Sequence, residues 1–417
     1  MQYFNGMKIA VLSDLHFGYA YNSELENDSF ANAEEAIDKA LDSDLILLCG
    51  DVFDIRAPKT TTWAKALKIL SKPLLKENPG TKLTSCSKEL KEISKRTLNH
   101  IPMIAIHGNH ERLTRVEQNT VEALENAGIL IHLHLNTIVF EKDGIKVAIH
   151  GMSSVPERYA KDVLYQWDTQ PIKDCYNILV IHQNIDPFVY SPIEPPTLSI
   201  SNLPKGFDMI IDGHIHTHTM EQIGSTKLVI PGSTVITQFQ RSESEIEKVM
   251  TQIIVGKDAS VDFIPLETVR KFYYEEIMLN GIPVQNVVEK KVNDMLFATK
   301  FYKKPVIRIK LTGTQILNDR ELNDIVSRYA NKAVTVFAKD IESPEMVESI
   351  ELLRNLKGQK LSVEEIGLNI LKKNLDELNF ESGFDYHDIF SLLSEEETET
   401  AFNMLAGEQK SLTQFGR

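Results

Sequence analysis

The stretch that decides the fold is residues 7–18, MKIAVLSDLHFG, in which an apolar, strand-like run leads directly into an aspartate and a histidine. Asp14 and His16 lie two positions apart, and residues at that spacing in a strand point to the same face. Carboxylate oxygen and imidazole nitrogen are common ligands of divalent metal ions. A single pair of this kind is more often part of an ordinary loop, so the rest of the chain must distinguish the two interpretations.

The same arrangement recurs at the ends of four further apolar segments. They end in GDVFD (50–54), GNHE (108–111), VIHQN (180–184) and GHIH (213–216). Gly-Asp and Gly-Asn pairs are individually turn chemistry, and we interpret His132, His134 and His150 as ordinary core residues. Here, however, five successive predicted strands each have Asp, Asn or His at the carboxyl end. That edge is where open α/β sheets bind ligands, so ordinary turns do not explain the whole set. Together the motifs predict a metal centre.

The types of donor indicate phosphate chemistry. Two divalent ions about 3.5–4 Å apart can clamp a phosphate group for in-line attack by an activated water. One carboxylate has to bridge the ions, and most other ligands have to be neutral so that the phosphate meets net positive charge. The chain offers two carboxylates, Asp14 and Asp51, beside Asn109 and several histidines.

Length, charge and cysteine usage restrict the class of protein. A chain of 417 residues is longer than one hydrophobic core normally grows, so two or three domains are expected. The net charge of −14 argues against a protein that coats nucleic acid without sequence preference. Residues 345–417 contribute −8 of it, so the preceding residues can still form a local basic surface. Three cysteines without a pattern suit a reducing cytoplasm. The longest apolar runs are strand-sized, well short of the ~18 residues that span a membrane.

The order of apolar and polar segments predicts the organisation of the chain. Residues 7–266 alternate short strands with helical segments, which predicts a mixed β-sheet layered with helices. Within them, Asp28 and Ser29 are candidate N-caps of the first helix, and Asp143-Gly144 marks a hairpin turn. We expect residues 76–99 to form a loop leading into a surface helix, with a solvated basic face rather than a nucleic-acid contact. Residues 267–341 predict a small β-α-β-α-β unit, and the remainder is helical in pattern.

The ordered motifs D-x-H, G-D, G-N-H, H and G-H-x-H resemble those of the calcineurin-like metallophosphoesterases over residues 7–266. SDLHFG, GDVFDIRAP, AIHGNHE, VIHQN and the IPGSTV turn are most similar to the meiotic-recombination-eleven family of double-strand-break repair nucleases, called SbcD in bacteria. This resemblance implies an α/β protein with a layered mixed β-sandwich core flanked by helices (7–266). It also implies a small α/β capping domain for DNA recognition (267–343) and a helical tail that binds an ATPase (344–417).

The family scheme also implies roles for individual residues. One metal would be held by Asp14, His16, Asp51 and His216, and the other by Asp51, Asn109, His182 and His214, with Asp51 bridging two Mn²⁺ ions. His110 is not a ligand in that scheme but faces the scissile phosphate, where it stabilises the transition state or protonates the leaving oxygen. Asp54 stands where archaeal and eukaryotic members commonly have His, which leaves the balance of exonuclease and endonuclease activity open. Glu111 stands where Asp is usual.

The implied function is a manganese-dependent DNA nuclease, a double-strand exonuclease and single-strand endonuclease, in double-strand-break repair. It would act as a cytoplasmic, nucleoid-associated homodimer, without a membrane, together with a Rad-fifty-like or SbcC-like coiled-coil ABC ATPase. Local positive charge for DNA is expected from Lys303, Lys304, Arg308 and Lys310. The alternatives are a phosphatase or cyclic-nucleotide phosphodiesterase of the same superfamily, and a degenerate, non-catalytic scaffold.

Two apolar stripes in the tail are candidates for docking the ATPase in a helix-in-groove mode. The first comprises Val363, Ile366, Ile370, Leu371 and Leu378, and the second comprises Phe384, Ile389, Phe390 and Leu393. The alternative is that both stripes pack on the capping domain.

Overall fold

The computed structural model describes residues 6–112, 118–189, 198–279, 283–297, 301–313 and 318–341, and short stretches of the tail (367–368, 371–372, 386–394, 398, 401–402 and 404). Two compact units are distinguished. The first holds Met1–Leu311 and Leu317–Lys339, and the second holds Thr312–Ile316 and Asp340–Arg417. None of the helices in the described part of the chain combines the length and apolarity needed to cross a membrane.

The first unit contains two large β-sheets. The six-stranded sheet has the order β15-β14-β1-β2-β4-β5 and is formed by β1 (Met7–Leu12), β2 (Leu45–Cys49), β4 (Met103–Ile106), β5 (Ile131–His132), β14 (Val249–Val255) and β15 (Ala259–Pro265). Its strands β1, β2, β4 and β5 run parallel, and the β14–β15 hairpin joins β1 antiparallel. Burial on both faces explains why β2 is the uninterrupted apolar run LILLC, all five residues of which are buried.

The seven-stranded sheet has the order β12-β13-β11-β8-β7-β6-β3. Its strands are β3 (Lys82–Cys86), β6 (Asn136–Lys142), β7 (Ile145–Met152), β8 (Tyr176–Ile181), β11 (Met209–Asp212), β12 (Thr219–Ile223) and β13 (Thr226–Ile230). Strands β7, β8, β11 and β13 are parallel, whereas β6–β7 is the antiparallel hairpin predicted at Asp143-Gly144. A separate pair, β9 (Ile185–Asp186) and β10 (Leu198–Ser199), lies beside them.

The two sheets pack face to face, and helices cover their outer faces. One core cluster joins Leu47 and Ile104 of the first sheet to Ile149 and Ile211 of the second. The helices of this part are α1 (Asp28–Ala40), α2 (Thr60–Leu70), α3 (Lys95–Leu98), α4 (Thr120–Asn126), α5 (Glu157–Trp167) and α6 (Arg241–Glu245). Apolar residues of α1, α2 and α4 pack on the first sheet, and those of α5 pack on the second. The predicted layered mixed β-sandwich flanked by helices is confirmed.

Two local predictions in this part are wrong. Helix α1 begins at Asp28 with Asn27 as its N-cap, so neither Asp28 nor Ser29 caps it. The Asp28 carboxylate binds Arg270 instead. Residues 76–99 contain the edge strand β3, which pairs antiparallel with β6, and only the short helix α3. Strand β3 has no apolar alternation, so its place is determined by its neighbour in the sheet rather than by its own pattern.

The region that follows the sandwich is the predicted β-α-β-α-β unit. It comprises β16 (Phe272–Leu279), α7 (Val284–Phe297), β17 (Val306–Gly313), α8 (Asp319–Tyr329) and β18 (Val334–Ile341), with sheet order β16-β17-β18. Both helices lie on one apolar core that includes Val288, Ile309 and Ile325. We call residues 267–341 the capping region.

The tail is described in part only. Helix α9 (Tyr386–Ser394) falls within the second apolar stripe, with Ile389 buried and Leu393 half-exposed. The predicted positions Val363, Ile366, Ile370, Leu378 and Phe384 lie outside the described residues.

A buried ion pair joins the sandwich to the capping region. Arg270 donates from Nη2 to Asp28 Oδ1 at 3.1 Å and to the carbonyl of Glu24 at 3.1 Å. The side chains of Arg270 and Asp28 are each only 9% exposed. Lys303 adds a weaker contact to Asp28 Oδ1 at 3.3 Å. Both charges are removed from water. Loss of either partner would therefore leave the other charge buried and poorly compensated, which destabilises the junction.

Replacing Arg270 by Met is expected to lower the free energy of unfolding by about 3 kcal/mol, because Asp28 would stay buried with only Lys303 beside it. Urea denaturation followed by circular dichroism measures the change. Lys72→Met is the matched control, since Lys72 also pairs with carboxylates of α1, Asp38 and Glu34, but at the surface. An exposed pair contributes about 0–1 kcal/mol. Equal effects of the two substitutions would contradict a junction held by buried charge.

Candidate metal centre

The predicted ligands lie at the carboxyl ends of strands from both sheets. Asp14 and His16 follow β1, Asp51 follows β2, and Asn109 follows β4, all in the first sheet. His182 follows β8, and His214 and His216 follow β11, in the second sheet. The structure brings all seven to the edge where the two sheets meet, in two groups of side chains described below.

The turns after these strands hold several ligands in an unusual backbone conformation. Four of the predicted ligands have positive φ angles: Asp14 (51°), His16 (45°), Asp51 (47°) and His214 (75°). Non-glycine residues rarely adopt this left-handed region, and such strain clusters at functional sites. Glycines beside the ligands provide the room: a Cβ on Gly108 would overlap the Asp51 carboxylate, and one on Gly213 would overlap the carbonyl of Cys49.

The first group is Asp14, His16 and His216, whose ligand atoms all lie within 4.8 Å of one another. Asp14 Oδ1 lies 3.9 Å from His16 Nε2 and 3.6 Å from His216 Nε2. Its other oxygen, Oδ2, accepts hydrogen bonds from Ser13 Oγ and from the His214 backbone N–H. Oδ1 is buried without a hydrogen-bond partner in the described structure. A buried oxygen of this kind, facing two imidazole nitrogens, fits a divalent cation.

The second group is Asp51, His182 and His214, with Asn109 among them. His182 Nε2 lies 3.4 Å from Asp51 Oδ2 and 3.2 Å from Asn109 Oδ1. His214 Nδ1 lies 3.1 Å from the same Asn109 oxygen. The other ring nitrogen of His182 donates to the Cys49 carbonyl at 2.8 Å, which fixes the tautomer and directs Nε2 into the site.

Charge interactions within the site are strong because most of its members, including both carboxylates, are buried. Burial opposes ionisation of Asp14, but the nearby imidazole of His216 and the charge of His182 hold its pKa at about 2. Burial likewise opposes a charged His182, yet the nearby Asp51 raises its pKa to about 10. Burial and the charge of His182 lower the pKa of His214 to about 4. The site therefore combines ionised carboxylates with a cation of the protein, and a bound metal would take over the role of that proton.

His110 lies at the open side of the first group. Its side chain is 39% exposed, and its ring meets that of His16 edge to face, with centroids 4.9 Å apart. Nδ1 donates to the backbone carbonyl of Asp54 at 2.6 Å, so Nε2 faces the site at 3.9 Å from Asp51 Oδ2. His16, Asp54 and His110 form a further group of possible cation ligands.

Asp54 and Glu111, where the chain departs from the family pattern, both hold site residues in place. Asp54 Oδ1 lies 3.2 Å from His16 Nδ1, which orients the imidazole with Nε2 towards Asp14. Glu111 accepts from the backbone N–H of Phe53 at 2.8 Å and of Gly108 at 2.9 Å. It thereby links the two turns that present Asp51 and Asn109. Burial, reinforced by the charge of Asp51, raises the pKa of Glu111 to about 8.

Sequence reasoning missed several residues that support the site. Thr237 and Gln238 contact His216 Nδ1 at 2.9 and 3.1 Å, and Lys248 donates to the His216 carbonyl at 3.0 Å. These residues follow His216 by 21 to 32 positions and have no pattern of their own. Arg112 was also missed, although its position directly after GNHE was a usable signal.

Comparisons with known proteins agree with this geometry. The calcineurin-like phosphoesterase family model matches residues 7–218. The double-strand break repair protein MRE11 of Arabidopsis thaliana is 25% identical over 441 residues, covering 88% of this chain and 59% of that protein. The corresponding human protein is 25% identical over 320 residues, covering 67% and 44%. The double-strand break repair protein mus-23 of Neurospora crassa is 28% identical over 305 residues, covering 66% and 41%.

The chain thus spans about half the length of the curated relatives that it matches. The region matched by the family model is about half of the chain, and it includes all seven predicted ligands as well as His110. Divalent-metal binding is implied by that family and by the two groups of ligand atoms. The resemblance read from the motifs is confirmed, and the protein belongs to the calcineurin-like phosphoesterase family.

Proposed function

We propose that the protein is a manganese-dependent DNA nuclease that hydrolyses phosphodiester bonds in double-strand-break repair. The observation that carries this proposal is the convergence of two groups of carboxylate, amide and imidazole donors at the carboxyl ends of strands from both sheets. The relatives support the substrate, since they are named double-strand break repair proteins. A complete donor set argues against the non-catalytic scaffold, because a degenerate site would lack ligands.

Two Mn²⁺ ions fit the donor groups. One would be held by Asp14, His16, Asp51 and His216, and the other by Asp51, Asn109, His182 and His214. Asp51 would serve both, and this role is supported by its 3.4 Å distance from His182 and by the action of its charge on His16. When bound, the ions supply electrostatic stabilisation of the phosphate and a more acidic attacking water.

His110 is the candidate catalytic residue. Because its Nδ1 proton is bound to the Asp54 carbonyl, the nitrogen that faces the site is Nε2. From there it can hold a proton against the charge that develops on the phosphate, or give a proton to the leaving oxygen. Asp54 contributes through its backbone here, and its carboxylate orients His16. A carboxylate at position 54 is therefore suited to orienting the proposed ligand His16.

Arg112 supports a substrate with a phosphate backbone. Its Nη1 is buried without a hydrogen-bond partner among the described residues. Burial lowers its pKa, and the charge of Arg56 lowers it further, while Glu157 and Asp51 act in the opposite direction. A guanidinium nitrogen without a partner among the described residues is suited to an anion, such as a phosphate next to the scissile one.

The capping region uses its predicted DNA-facing cations for internal contacts. Lys303 binds Asp28, Lys304 pairs with Glu24, Arg308 donates to the carbonyls of Gln238 and Phe239, and Lys310 lies 3.9 Å from Glu276. All four cations therefore have acceptors within the protein. We still assign DNA recognition to residues 267–343, with the remaining affinity coming from the core and from a partner.

That partner is proposed to be a Rad-fifty-like or SbcC-like coiled-coil ABC ATPase, bound by residues 344–417. The chain contains no G-x-x-x-x-G-K-[ST] motif, so an ATP-dependent activity requires another protein. A nucleoid-associated homodimer is the proposed assembly on DNA.

Digestion of end-labelled DNA tests the nuclease activity. With Mn²⁺, the protein is expected to degrade double-stranded ends and to cut single-stranded DNA, while a small phosphomonoester stays intact. Asp51→Asn is expected to abolish cleavage, because it removes charge from both metal positions, and to keep the fold, because the site lies at the sheet edge. Normal cleavage by that variant at saturating manganese would refute the two-metal scheme. Preference for the phosphomonoester would favour the phosphatase alternative.

His110→Gln is expected to retain metal and to lose most turnover, by about 10²–10⁴-fold, the usual contribution of a positioned acid or base. Elemental analysis of the purified variant and its rate on DNA measure the two effects. The control is His100→Gln, the same substitution at a surface histidine that contacts the Lys76 carbonyl. Loss of one ion per chain in the His110 variant would instead make this residue a ligand.

Truncation before Glu345 is expected to preserve manganese-dependent cleavage of short DNA. It should also abolish co-purification with a co-expressed ATPase of the family, together with ATP-stimulated cleavage of blocked ends, because the apolar stripes of the tail are removed. Pull-down and nuclease assays on the same preparations check both effects. Unchanged ATPase affinity, or unfolding of the shortened protein, would show that the tail is a packing element.

A further inference from the structure

Residues 237–243, which we call the positioning segment, contact the proposed ligand His216. Thr237 Oγ1 lies 2.9 Å and Gln238 Nε2 lies 3.1 Å from His216 Nδ1. The Thr237 hydroxyl can accept the Nδ1 proton, and the Gln238 amide does the same through its oxygen once the amide group is turned over. The lone pair of Nε2 is then left for a metal ion. That nitrogen lies 3.6 Å from Asp14 Oδ1. The positioning segment thus determines how the imidazole faces the first ligand group.

A buried ion pair holds the positioning segment in shape. Glu243 Oε2 accepts from the backbone N–H of Gln238 and of Phe239, both at 2.9 Å. Its Oε1 lies 2.7 Å from Lys248 Nζ, and the two side chains are 1% and 3% exposed. Lys248 Nζ also donates to the backbone carbonyl of His216 at 3.0 Å. The same ion pair therefore fixes both the segment and the ligand that it orients.

The other side of the positioning segment is bound by the capping region. Arg308 on β17 donates from Nη1 to the carbonyls of Gln238 at 3.0 Å and of Phe239 at 3.2 Å. The ring of Phe239 packs against Phe272 on β16, with centroids 5.5 Å apart. Glu243 therefore holds the N–H groups of two consecutive residues, and Arg308 holds their carbonyl groups.

The geometry of Arg308 indicates more than general packing. Its Nε is buried without a hydrogen-bond partner within the described residues, which is unfavourable for a charged group. Phe239, one of its two acceptors, has a left-handed φ of 54°. An unsatisfied guanidinium nitrogen and a strained backbone persist where surrounding contacts impose them. Here the imposed arrangement is the link between β17 and His216.

We infer that the positioning segment links the position of the capping region to the orientation of the His216 imidazole. Arg308, which binds this segment, thereby sets the affinity of the metal site that includes His216. Arg308 is a positioning residue, since it contacts the segment and neither the proposed ligands nor His110. The inference rests on the proposed metal centre, but it does not depend on DNA being the substrate.

Calorimetric titration of the full-length protein with Mn²⁺, in the absence of DNA, tests this link. His216→Gln identifies the binding event that depends on His216. Arg308→Met is expected to weaken the same event about tenfold, the lower end of the usual 10–100-fold effect of outer-shell partners, and to leave the other event unchanged. Arg308→Lys, which can still donate to one carbonyl, should lose less affinity than Arg308→Met.

Arg328→Met is the matched control, because Arg328 pairs with Glu289 within the capping region and is remote from the segment in sequence. It should leave both binding events unchanged. Unchanged affinities in Arg308→Met, or an equal loss in Arg328→Met, would overturn the inference. If Arg308→Met does not fold, Gln238→Ala decides, because it removes the contact with His216 and keeps the carbonyl that Arg308 binds. Normal affinity in Gln238→Ala would also overturn the inference.

The same titration separates this inference from the proposed function. A protein that binds manganese in this pattern but cuts no DNA would refute the nuclease and leave the role of Arg308 standing. A wild-type protein that binds no manganese would refute both.

Discussion

Asp14 and Asp51 are 0% and 1% exposed to solvent. Burying an ionised carboxylate in this way costs several kcal/mol unless cations or hydrogen-bond donors surround it. This constraint explains much of the site. The donors come from Ser13, from backbone N–H groups and from imidazoles of the opposite sheet. The left-handed turns aim the carboxylates at those donors. Asp14 Oδ1, which lacks a donor among the described residues, is the position that a metal ion would satisfy in the proposed scheme.

The motifs were predictable because each is local. A buried parallel strand followed by a short turn places its ligands at a fixed edge, so the five strand ends could be read from apolar runs and the residues after them. The roles that failed depend on distant partners instead. Asp28 has the sequence of an N-cap, but Arg270 lies 242 positions away and takes its carboxylate. Lys303 and Arg308 look like free cations in sequence, and only the folded capping region shows which acceptors they meet.

Glu111 illustrates how a departure from a family pattern can be accommodated. Its two oxygens accept from Phe53 and from Gly108, which lie on the turns after two neighbouring parallel strands. Bridging two turns with one carboxyl group requires reach, and glutamate has one methylene more than aspartate. Burial and the charge of Asp51 raise the pKa of Glu111 to about 8, which disfavours its charged form next to Asp51. The longer side chain therefore supports the two turns that present Asp51 and Asn109.

The ligand groups draw on residues as far apart as Asp14 and His216, and each proposed metal position needs side chains from both sheets. A growing polypeptide on the ribosome therefore has neither complete set until the turn after β11 has emerged and met the first sheet. Partly synthesised chains would hold metal weakly, since the missing imidazoles come last. The order of the strands thus delays the complete ligand set until about half of the chain has been made.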